Sequence, residues 1–213
     1  MSEADWVVYG TLITLTVAVT LMSRWALRNA RASEATAKTW TAEKVQHLAA
    51  PLLLGGPWIW GRWSGRAGIS GLSLDLQSAQ GQALCRIESP TLPRQGVRRH
   101  FELEGQRYEC VSAGAFSARS LLRVASSGQV VLRGQHGLLR TRIEREPGGE
   151  PVCELPLRSV FHRYSPLMRG EEEVGRLFTV DEGQASALVL SLSPQAGLTT
   201  LEWCMLLACL PRR

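Results

Sequence analysis

The chain has 213 residues, 24 basic against 19 acidic, a net charge of +5 and five cysteines. That length suits one domain of ordinary size with its own core, and the mild charge comes with no nucleic-acid-binding motif. Cys85, Cys110, Cys153, Cys204 and Cys209 are odd in number and widely spread, without a C-x-x-C or a histidine at ligand spacing. This argues against a disulfide framework and a zinc site, and it reads as small core residues in a reducing compartment.

The first element is Trp6 to Ser23 (WVVYGTLITLTVAVTLMS), an uncharged run of eighteen residues. As a helix it reaches roughly 27 Å, enough to cross a thin hydrocarbon core. Acidic Glu3 and Asp5 precede it while Arg24, Arg28 and Arg31 follow. That order is the reverse of a cleaved signal peptide, so a retained transmembrane helix is expected. Basic flanks stay on the cytoplasmic side, which puts the N-terminus outside and the bulk of the chain in the cytoplasm of an inner membrane. Trp6 and Trp25 stand at the two interfaces, with Arg24 and Arg28 beside the headgroups.

From Arg24 to Ala50 the sequence is alanine-rich without Gly or Pro, which predicts a helical juxtamembrane stalk ended by Pro51. Residues 51–63 hold Gly55, Gly56, Pro57 and Gly61 and crowd Trp58, Trp60 and Trp63 around Arg62. They read as a linker whose indoles either dock on the membrane interface or form a first strand near Ile59. Every basic residue after Lys44 is arginine. Arginine suits phosphate recognition, although a codon preference for arginine on a solvated surface gives the same composition.

From residue 64 onward the apolar residues alternate with period two, and glycines at 81, 105, 128, 148 and 170 mark a turn about every two dozen residues. This predicts five consecutive hairpins, a further strand at Ala187–Ser193, and eleven or twelve strands in all. So many antiparallel strands close as a barrel or stack as a sandwich. The last element, 199–210, opens with Thr199 and Glu202 as a capping box and is apolar nearly all round. A helix without a polar face must be buried, so it is expected to plug the β-structure.

The stretch GAFSARSLLRVASSGQVVLRG (Gly114 to Gly134), followed by LEWCMLLACL, resembles the tubby-like superfamily of phospholipid scramblases and LURP-one-related proteins. The similarity runs from about Leu72 to Leu210. It implies a twelve-stranded barrel around a central C-terminal helix. Two departures from the family matter. The domain has no lysine where tubby proteins read phosphoinositides partly with lysine, and it has few aspartates where scramblases carry an acidic calcium-binding segment.

Four scattered histidines and the lack of H-E-x-x-H, G-x-S-x-G or a phosphate-binding glycine loop predict a non-enzymatic protein without cofactor or metal. The densest basic places are Arg98-Arg99-His100 and Arg158 to Arg163. Arg98, Arg99, Arg158 and Arg163 are therefore the candidate lipid- or phosphate-contact residues, with Trp58, Trp60 and Trp63 as interfacial contacts. The expectation is a single-pass membrane protein whose domain binds anionic lipid headgroups or a protein partner at the membrane surface. The alternative is a structural subunit or assembly factor of a larger membrane complex.

Overall fold

The computed structural model describes residues 40–66, 71–90, 97–112, 118–137, 140–156, 164–182 and 185–209. The chain divides into two compact units. One is Met1–Trp40 with Asp181–Ala185, and the other is Thr41–Val180 with Ser186–Arg213. Among the described residues no helix is long and apolar enough to cross a membrane, and the run Trp6 to Ser23 lies outside them.

Helix α1 (Ala42–Ala49) begins at Thr41, whose backbone is extended (φ −121°, ψ 159°) and whose hydroxyl accepts from the Lys44 N–H at 3.3 Å. A side-chain oxygen at this position satisfies one of the unpaired donors of the first turn. A helix therefore starts at Thr41 with its own cap; residues 24–39 of the expected stalk lie outside the described residues. A short 3₁₀ turn (Ala50–Leu52) with Pro51 in its first turn ends it.

Twelve strands follow: β1 (Trp58–Arg66), β2 (Gly71–Ser78), β3 (Ala83–Ser89), β4 (Val97–Leu103), β5 (Gln106–Ser112), β6 (Arg119–Val124), β7 (Val130–His136), β8 (Arg140–Arg145), β9 (Glu150–Pro156), β10 (Ser165–Arg169), β11 (Glu172–Glu182) and β12 (Ala185–Leu192). Each lies beside its sequence neighbour, and β1 pairs antiparallel with β12, closing the barrel. The open sandwich is excluded, and the strand near Ile59 is the closing one. It occupies half of the segment read as a linker.

All five hairpin glycines (81, 105, 128, 148 and 170) have positive φ, the left-handed backbone their turns need. These turns join β2–β3, β4–β5, β6–β7, β8–β9 and β10–β11, so they share one end of the barrel, the turn end. The other connections belong to the opposite end, the rim.

An eight-stranded barrel is just filled by its own side chains, so twelve strands leave an interior to occupy. Helix α2 (Thr200–Cys209) occupies it, burying Cys204, Met205, Leu206, Leu207 and Ala208 against strands β4, β5, β7 and β8. Its capping box forms as the sequence predicts. Glu202 accepts from the Thr199 N–H at 2.8 Å, and Thr199 Oγ1 accepts from the Glu202 N–H at 3.3 Å. Glu202 also accepts from Arg145 Nε at 2.6 Å, at the turn end of β8, which fixes where the helix enters. On β7, a Cβ at Gly134 would stand 3.0 Å from Cys209 Sγ and 3.3 Å from Met205 Cε, so glycine lets helix and wall approach here. Around the helix, Leu74, Ile87, Phe101, Leu122, Ile143 and Leu167 complete the core.

Candidate functional site

At the rim, where α2 ends, the apolar core gives way to an inward-facing polar belt carried by six successive strands. Arg99 on β4 is only 3% exposed. Its guanidinium donates to the carbonyls of Leu207 (2.8 Å) and Ala208 (3.0 Å) and to Ser89 Oγ on β3 (3.1 Å). The last carbonyls of a helix carry the negative pole of its dipole and have no partner of their own, so a cation there both neutralises and caps. The Arg99 guanidinium carbon also lies 5.4 Å from the centre of the Trp63 ring, a cation–π contact.

The belt continues on β5 to β8. Cys110 on β5 is buried in the wall. Ser120 Oγ lies 2.8 Å from His136 Nε2, and His136 Nδ1 lies 3.3 Å from Thr141 Oγ1. Burial, with Arg98 nearby adding to it, holds the His136 imidazole below its ordinary pKa, so the ring is neutral at pH 7. In either neutral tautomer one ring nitrogen donates and the other accepts, so both hydroxyls are served. A hydroxyl, an imidazole and a second hydroxyl in line look like a nucleophile with its base. Ser120 is 1% exposed and sits within the wall, where it ties β6 to β7 through His136.

Outside, the arginines of the wall are matched by carboxylates on adjacent strands. Arg86 pairs with Asp75, Arg123 with Glu109 (2.8 Å) and Arg140 with Glu154 (3.1 Å), while Arg176 pairs with Glu173 of its own strand (2.6 Å). Exposed pairs of this kind contribute about 0–1 kcal/mol each, and they leave little unbalanced charge on the wall.

The sites expected from sequence divide accordingly. Arg98 is exposed and donates to Ser112 Oγ at 3.0 Å, and Trp63 is 39% exposed. Two expectations are corrected. Arg99 cannot meet a headgroup because its guanidinium is committed to the helix end. Trp60 is 1% exposed and its indole N–H donates to the Ser78 carbonyl at 3.2 Å, so it is a packing residue rather than an interfacial one. Trp58 is half-buried. Arg158, Arg163, Trp6, Arg24, Trp25 and Arg28 lie outside the described residues.

Sequence reasoning missed Ser120, His136, Thr141 and the helix-facing cysteines. Only the inward parity of these positions on alternating strands could have flagged them. Among the described residues no cluster of three or more His, Cys, Asp or Glu side chains could hold a metal ion. No family model, curated protein or solved structure matches this chain.

Proposed function

We propose that this chain is a non-enzymatic, single-pass membrane protein whose barrel meets anionic lipid headgroups through its rim. The observation that carries this reading is the contrast between the two ends. The described strands assign the β1–β2, β3–β4, β5–β6, β7–β8 and β9–β10 connections to the rim. In sequence those five connections contain Arg94, Arg158 and Arg163 and the large apolar residues Ile69, Leu92, Phe116, Leu138 and Phe161, with no Asp or Glu; the carboxylates at this end are Asp181 and Glu182, the last residues of β11 before the sixth connection. The five turns of the other end contain Glu104, Glu146 and Glu171 and, Pro147 aside, no apolar residue larger than alanine.

Apolar groups next to arginine without carboxylates suit a negatively charged interface, where each basic residue contributes about 1 kcal/mol. Exposed Arg98 and Trp63 extend the same character onto the strands. The run Trp6 to Ser23 would supply the anchor, and a tether makes weak rim contacts effective by raising local concentration. A closed barrel threaded by a C-terminal helix is the architecture that the tubby-like resemblance implies, which supports placing the chain in that superfamily.

The test is co-flotation of residues 41–213, which hold α1 and the whole barrel, with neutral and phosphatidylserine-containing vesicles. Binding is expected only to the anionic vesicles, to weaken as salt rises, and to fall several-fold in Arg98→Ala and Trp63→Ala. Equal recovery with neutral and anionic vesicles, or none with either, would sink the headgroup reading. The remaining candidate would then be a docking subunit of a membrane complex.

A further inference from the structure

We propose that the barrel interior holds a disulfide-forming site, Cys85 with Cys204, joining a strand of the wall to helix α2. The five cysteines are free thiols in this structure. Cys85 Sγ on β3 lies 3.3 Å from Cys204 Sγ on the helix, about 1.3 Å more than a disulfide bond. Cys153 on β9 takes no part in the pair and serves as an internal control.

The pair also has an asymmetry that suits exchange. Cys85 is half-buried, and its thiol ionises more readily than usual because the thiolate accepts from Cys204; Cys204 is held well above its ordinary value by donating that hydrogen bond and by burial. Burial pushes Cys153 up to about 12, which leaves it inert at neutral pH.

With a low-molecular-weight disulfide as oxidant, the Cys85 thiolate attacks one reagent sulfur, forming a mixed disulfide and releasing one reagent thiolate. Cys204 loses its proton to solvent and attacks the Cys85 sulfur, expelling the second reagent thiolate. Two protein thiols become one disulfide, and the reagent is reduced to two thiols.

The experiment oxidises the reduced full-length chain under native conditions with glutathione disulfide. The product is then denatured, free thiols are alkylated, and crosslinked peptides are mapped by mass spectrometry. Five labels before oxidation should become three, on Cys110, Cys153 and Cys209, with Cys85–Cys204 as the crosslink. The melting temperature should rise by on the order of 10 °C and return with reductant. Cys204→Ser should remove the crosslink and leave Cys85 labelled. Five labels after oxidation would overturn the proposal, as would a product that lacks the Cys85–Cys204 bridge. The readout does not involve lipid, so it fails or succeeds independently of the rim's proposed role.

Discussion

Arg98 and Arg99 are neighbours in a basic triplet, yet one faces water and the other is sealed inside the barrel. Arg99 keeps the inward parity of Phe101 on β4, opposite buried Cys110 of β5, and Arg98 falls on the outward face. Removing Arg99 would leave the helix-terminal carbonyls of Leu207 and Ala208 without their donor. Arg99→Ala should therefore cost about 2–4 kcal/mol in urea unfolding, with Arg98→Ala within about 0.5 kcal/mol of the parent. Arg99→Lys should recover little, because a single ammonium cannot reach two carbonyls and a hydroxyl as the guanidinium fork does. His136 makes a second prediction at this scale. Its folded pKa is depressed below the ordinary 6.5, so below that pH the unfolded chain takes up a proton that the folded ring resists. Stability should be level above pH 6.5 and decline as pH falls from there through the folded pKa. His136→Gln should flatten that decline when urea midpoints are compared at pH 7.5 and 5.5.

Among the elements, the hairpins and the last helix were legible because their signals are local. A glycine at each turn, period-two alternation between turns, and the Thr199–Glu202 spacing each act within a few residues. Strand β1 was half legible: WIWGRWSGR left a first strand near Ile59 and an interfacial cluster of indoles both open. Its inward Gly61 has no side chain, and its outward Trp60 is apolar and buried, so the in–out contrast that marks a strand is erased. The Cys85–Cys204 contact was invisible for another reason: the two are 119 positions apart, and only the closed barrel brings them together. Helix α2 is the element on which single changes should act most strongly. Gly134→Ala puts a methyl 3.0 Å from Cys209 Sγ and should destabilise by about 1–3 kcal/mol, with Gly134→Val worse, as read by thermal melting. Thr199→Ala removes the hydroxyl of the capping box and should cost about 1 kcal/mol in the same assay.

For the whole molecule, the barrel has a polar, acidic end made of tight turns and an end whose connections are basic and apolar in sequence, with the core helix entering at the first and stopping at the second. That polarity is what the vesicle experiment reads. The interior depends on α2 as completely as a holo protein depends on its cofactor, so a chain ending at Leu198 should lose its cooperative unfolding transition and bind a hydrophobic dye. The order of the elements adds a consequence in time. Strand β12 closes the sheet against β1, and the plug follows β12 in the chain, so neither closure nor core can form until all the other strands have been synthesised. During translation the inner wall is a row of exposed apolar residues with two open strand edges, the condition in which chains aggregate or recruit chaperones. Helix α2 thus acts as a completion check: a ribosome that stops before Thr200 leaves a product that cannot bury its own interior and is marked for disposal by its own surface.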